Sequence, residues 1–216
     1  MSRATGVDVL GGGFDEALTG ADTVLDCLNV ASMSRRRAVA FFGCSARAVT
    51  AAAERAGVGH LVCLSIVNIT DPGVRSATGY HGGKAAQEEA YLAGSTPVTV
   101  GRTTAWFTLT QSFLTQIRAG SVAFVPRMQL RPLHPDAAAE ALVEAVGEGA
   151  SPGRHGIRKE LAGPDVHDSV DLARRTRPPG TRECVSWASR FPAAGCAKAC
   201  CPMTRCPPTA DGSRGG

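Results

Sequence analysis

Along the first 173 residues, short continuous apolar runs alternate with longer stretches of helical period. Residues 6–10 (GVDVL) predict a short strand, 15–20 a short helix ending on glycine, and 23–29 (TVLDCLN) a buried strand. Residues 38–56 are alanine-rich and closed by Gly57, the pattern of a helix with a left-handed carboxyl end. The run 60–67 (HLVCLSIV) is apolar without alternation, as a strand covered on both faces of a parallel sheet must be. Residues 84–93 read as a helix stopping at Gly94, 97–102 as a third strand, and 106–118 as a helix. A short strand at 122–125 and an alanine-rich helix at 135–146 follow. This alternation predicts an α/β fold built on a parallel sheet.

The pattern ends at about Ala173, which divides the chain into a folded part, 1–173, and a tail, 174–216. The tail is dense in Arg, Pro, Gly and Cys, has no sustained period and reads as disordered. Its composition is also what a shifted reading frame in GC-rich DNA would yield. The formal net charge of +4 belongs to it: 15 basic and 17 acidic residues precede Arg174, whereas from Arg174 onward there are seven Arg and one Lys against Glu183 and Asp211. A near-neutral body makes nucleic acid an unlikely partner. The cysteine-dense CAKACCPMTRC lacks two paired knuckles and a following histidine, so no metal site is expected. Cys27, Cys44 and Cys63 in the body read as small buried hydrophobes. No apolar run approaches the roughly 18 residues of a membrane span. No secretion signal opens the chain, so a cytoplasmic location is expected.

The candidate chemistry lies in GYHGGKAAQEEAY, residues 79–91. Tyr80 and Lys84 are four apart and share one face of a helix. A nearby ammonium favours the phenolate and lowers the phenol's pKa. A tuned tyrosine can then exchange a proton with a substrate oxygen while hydride moves to or from the adjacent carbon. The pair opens the helix that follows the 60–67 strand, and residues beyond the carboxyl ends of strands line the crevice of an open parallel sheet.

HLVCLSIV, GYHGGKAAQEE, PVTVGRTT and FVPRMQLRPL, in that order, resemble the NmrA-like, atypical branch of the short-chain dehydrogenase/reductases. The likeness runs from about Ser2 to Leu172. It implies a partial Rossmann-like, doubly wound parallel sheet that binds NADP or NAD and acts on a small carbonyl or hydroxyl compound. By matched position Tyr80 is the catalytic acid/base and Lys84 its ribose-binding partner. Asn29 lies at the cofactor edge of its strand, Thr103 beside the nicotinamide, and Arg3 where a 2′-phosphate would be met. A role as non-catalytic dinucleotide sensor or protein-binding module also occurs in this branch.

Two departures bear on activity. Ser65 is followed by Ile66 and Val67, where active relatives place a further hydroxyl; it is either a substrate-orienting residue or a serine bonded within the fold. The family also opens with a strand, a glycine-rich turn and a helix that cradles the pyrophosphate, and this chain begins after them. An inactive, truncated product is therefore a third reading. Gly11–Gly13 does not substitute, because Asp15 and Glu16 would face the phosphates; it reads as a turn. Without its first strands the sheet should retain 23–29, 60–67, 97–102 and 122–125, with the 38–57 helix packed on it. The 23–29 strand would be an open apolar edge through which chains could associate.

Overall fold

The computed structural model describes residues 6–176 except 12, 33, 117 and 151–154, together with 183–187. In chain order the elements are α1 (Phe14–Ala17), β1 (Thr23–Asp26), α2 (Arg35–Ala56), β2 (His60–Ile66), α3 (Pro72–Ala77), α4 (Gly79–Leu92), β3 (Val98–Thr103) and α5 (Phe107–Gln116). They continue with β4 (Arg118–Ala119), β5 (Val122–Pro126), β6 (Gln129–Leu130), α6 (Pro135–Glu148), β7 (Ile157–Leu161), β8 (His167–Asp168), α7 (Ser169–Thr176) and β9 (Glu183–Trp187).

The expected α/β fold is present. β1, β2, β3 and β7 form one sheet in that order, with every pair parallel. Local chemistry sets the helix ends. The Ser34 hydroxyl accepts from Arg37 N at the start of α2, and Gly57 closes it at φ 71°. The Thr78 hydroxyl accepts from His81 N and opens α4. α2 and α4 cover one face of the sheet, where Ala46, Val49, Leu61, Cys63, Tyr91 and Val100 share a buried cluster. α6 covers the other face through Leu142 and Ala145 against Val62. Since strand and helix alternate, α2 and α4 both begin beyond the carboxyl ends of the strands that precede them, β1 and β2.

Several expectations are corrected. Residues 6–10 form no strand: Asp8 accepts from Leu10 N through its side chain and from Gly11 N through its carbonyl, and this local turn displaces a ladder. β5 is not part of the parallel sheet but pairs antiparallel with β4 and parallel with β9. Its burial alternates, and Ala123 and Val125 pack on Leu114, Val170 and Ala173. The fourth strand of the main sheet is β7, IRKEL, whose charges hide it from an apolar pattern. β1 stops at Asp26 rather than Asn29; it lies at the edge of the sheet, as expected, and there it leaves Leu25 exposed rather than buried. The short α3, opened by the Asp71 side chain and Pro72, was not expected. Cys63 is buried, but Cys27 is exposed and Cys44 is disulfide-bonded. Of the expected disordered tail, 174–176 end α7 and 183–187 form β9; the cysteine-dense segment 196–206 lies outside the described residues. Among the described residues no helix is long and apolar enough to cross a membrane, and no His, Cys, Asp or Glu cluster could hold a metal.

Candidate active site

α4 starts at the end of the sheet where strands finish and runs back along it. Its inward residues meet the sheet in two polar clusters. Room for α4 comes from Gly83: a Cβ there would lie 2.5 Å from Phe42 Cδ2 and 2.9 Å from the Ala38 carbonyl, so the glycine lets α2 and α4 approach closely.

Tyr80 and Lys84 both lie against Phe42 of α2. The Tyr80 ring meets Phe42 edge-on at 5.7 Å, and Lys84 Nζ sits 4.9 Å from the Phe42 ring centroid. The two side chains therefore share one side of α4, as their spacing predicts. Their electrostatics differ from expectation. Burial pushes the Tyr80 phenol up, with no lowering by Lys84, and its hydroxyl has no hydrogen-bond partner among the described residues. Lys84 is only 3% exposed. Burial pushes its ammonium down, opposed by Cys63, Asp26, Cys27 and Glu88. Nζ donates to Gln87 Oε1, and not to the phenol. His81 is half-buried; its Nδ1 lies 2.7 Å from the Thr78 hydroxyl and its ring meets Tyr80 edge-on at 6.1 Å.

A hydrogen-bonded network that the sequence did not predict surrounds Lys84. Asp26, the last residue of β1, is buried; its Oδ2 accepts from Gln87 Nε2 at 2.5 Å and from the Tyr91 hydroxyl at 2.6 Å, and its Oδ1 from Leu28 N at 2.7 Å. Burial and the Asp26 charge push the Tyr91 phenol up, so it acts as a donor. The available signal was an aspartate inside an apolar strand, since a buried carboxylate needs donors.

Ser65, in β2, is brought to the second cluster. Its hydroxyl donates to Glu88 Oε2 at 3.0 Å, and Arg102 of β3 grips the same carboxylate, Nε at 3.2 Å and Nη2 at 2.5 Å. Thr103 ends β3, buried, and its Oγ1 accepts from Trp106 Nε1 at 3.2 Å. Asn29 is exposed, three residues past the end of β1. Arg3 lies outside the described residues.

Tyr80, Lys84, Asn29 and Thr103 all stand at or near the carboxyl edge of the sheet. The glycine cluster does not: Gly13 leads into the four-residue α1, whose Asp15 pairs with Arg55 in the last turn of α2, at the edge where strands begin. It is the turn that the sequence predicts. An apolar groove of ≈ 310 Å³ runs along the open side of β1, lined by Val9, Phe14, Val24, Leu25, Leu28 and Val49 and reaching Asp26 and Cys27 beside Lys84.

A parallel sheet with helices on both faces, with Tyr80 and Lys84 at its carboxyl edge, defines a Rossmann-like α/β protein. No family model matches the chain, and no curated protein matches its sequence. Solved structures do. MoeE5, in complex with UDP-glucose and NAD, matches with a TM-score of 0.61 at 14% identity, over 88% of this chain and 77% of that one. A UDP-galactose 4-epimerase matches at 0.60 and 15% identity, over 85% and 74%. The NADPH-dependent quinone oxidoreductase QOR2 from Escherichia coli, complexed with NADPH, matches at 0.60 and 15% identity, over 84% of this chain and only 60% of its own length. At these identities the likeness is one of fold.

Proposed function

We propose that the chain is an oxidoreductase-like protein of the NmrA-like, atypical short-chain dehydrogenase/reductase type, which binds NADP or NAD and acts on a small carbonyl or hydroxyl compound. The observation that carries this reading is the placement of Tyr80 and Lys84 on one side of α4, against Phe42, at the carboxyl edge of a parallel sheet. Its likeness in fold to MoeE5 bound to UDP-glucose and NAD, to QOR2 bound to NADPH and to a UDP-galactose 4-epimerase supports it.

The bound nicotinamide would supply or accept hydride. Tyr80, half-buried and protonated at neutral pH, would give its proton to the substrate oxygen in reduction and recover it in oxidation. Lys84 would hold the ribose hydroxyls through its ammonium. Thr103 would border the nicotinamide end, Asn29 would lie at the cofactor edge past β1, and Arg3 would meet a 2′-phosphate. Ser65 is assigned the weaker role of substrate orientation, because its hydroxyl already has Glu88. That bond favours a second reading, a non-catalytic dinucleotide sensor that uses the same edge.

Titration of the purified chain with NADPH and NADH, followed by fluorescence or calorimetry, tests both. Binding supports them, and its absence leaves an inactive product. Where binding occurs, Tyr80→Phe separates them: an enzyme loses turnover while affinity changes little, and a sensor has no turnover to lose.

A further inference from the structure

Lys84 carries an amide on its nitrogen where an ion pair would be the usual partner. Gln87, three residues on along α4, accepts from Nζ at Oε1 and donates from Nε2 to Asp26 Oδ2. A carboxamide has one accepting and one donating end, so one of its two orientations satisfies both neighbours. Asp26 is held independently of the lysine: Tyr91 donates to Oδ2 and Leu28 N to Oδ1. The carboxylate therefore acts as the fixed end of the chain. Its acceptor oxygen turns Nε2 toward β1, and Oε1 is left facing the ammonium.

We propose that Asp26 is a positioning residue for Lys84, which through the Gln87 amide holds the ammonium against Phe42 at the carboxyl end of β1. The other groups facing Lys84 do not share this link. From just past the end of β1 Cys27 faces it, from β2 Cys63, from α4 Glu88 and from α2 the Phe42 ring. Glu88 is the second charge, and it is bound by Arg102 and Ser65. Asp26 is thus the carboxylate joined to Lys84 by hydrogen bonds. The consequence for catalysis rests on the proposed role of Lys84; the positioning itself does not.

The chain has three lysines, Lys84, Lys159 and Lys198, so 13Cε-labelled lysine gives three titrating signals, with Lys84→Met assigning one. The Lys84 midpoint is then followed in the full chain and its variants. Asp26→Asn and Gln87→Leu should each lower it by about one pH unit or more. The double variant should move it no further than the larger single change, since both cut one path. Tyr91→Phe, which leaves the amide link in place, should move it far less. Additive shifts, or an unmoved midpoint in Gln87→Leu, would overturn the proposal, because Asp26 would then act through space or not at all. If Asp26→Asn does not fold, Gln87→Leu against Tyr91→Phe decides alone. NADPH titration of the same samples is read separately: no binding by the parent chain would sink the function and leave the lysine titration standing.

Discussion

Glu88 and Arg102 form a buried fork between α4 and β3, with both side chains about 95% covered and Nη2 2.5 Å from Oε1. Ser65 adds a donor from β2, and the half-exposed Arg158 of β7 stands 3.6 Å from the same carboxylate. Glu88 thus ties α4 to three strands of the parallel sheet. Removing one partner leaves a desolvated charge, which costs more than the pair contributes. Arg102→Met should destabilise the chain by about 3–5 kcal/mol. Arg102→Met with Glu88→Leu should recover much of that loss. Urea unfolding of the two variants checks both statements, and a double variant as unstable as the single one would refute the assignment.

Gly83 fixes the distance between α2 and α4. A methyl group there has nowhere to go, because two of its three nearest neighbours are the backbone carbonyl atoms of Ala38. Gly83→Ala gains helix propensity of about 1 kcal/mol, yet the overlap should outweigh it and leave a net loss of about 1–3 kcal/mol. Gly147 is the control: it also lies within a helix, α6, but has no atom within 4 Å of an added Cβ. Gly147→Ala should be neutral or stabilising in the same thermal melts.

The apolar runs and helix caps of the parallel sheet were legible because period and burial agreed. His60–Ile66 has no alternation and is covered on both faces, and Gly57 closes α2 by local chemistry alone, whereas the Ser34 cap that starts α2 at Arg35 rather than at residue 38 was not expected. β7 was not legible, since Arg158, Lys159 and Glu160 look like a loop until they pair with Glu88, Glu148 and Arg102. The spacing of Tyr80 and Lys84 predicted a shared side of α4. It could not predict that Lys84 Nζ would donate to Gln87, since Asp26 comes from a strand 61 residues away in sequence from that glutamine. Residues 6–10 misled because a strand and an Asx turn compete for the same backbone, and Asp8 supplies the turn.

His60 should give the fold an acid limb. Its ring is buried, Nε2 lies 3.0 Å from Thr99 Oγ1, and Nδ1 has no partner. Burial holds its pKa below the ordinary value, so the unfolded chain binds the proton first as pH falls. Stability is therefore fully present above about pH 6.5 and declines below it, by at most about 1.4 kcal/mol per pH unit. His60→Gln should flatten that limb. His81, also pushed down by burial, contributes with the same sign, so the flattening is partial. Melting temperatures between pH 7.5 and 5 for the parent and variant chains measure it, and identical slopes would show that His60 is not the titrating group.

Lys84 should give the chain opposite pH trends with and without a dinucleotide. Burial depresses its folded-state pKa below that of an unfolded lysine. In the window between the two values the unfolded chain holds more protons, so the stability of the free protein rises with pH. Binding that depends on the ammonium runs the other way: affinity is greatest while Nζ is charged and falls as pH rises through the depressed pKa. Kd for NADPH measured from pH 6 to 10 should therefore weaken at a pH where an exposed lysine would still be charged. Lys84→Met should bind weakly without that pH dependence and lose the rise in stability over the same window. A parent chain whose affinity is flat to pH 10 would remove Lys84 from the ribose, whatever the fold.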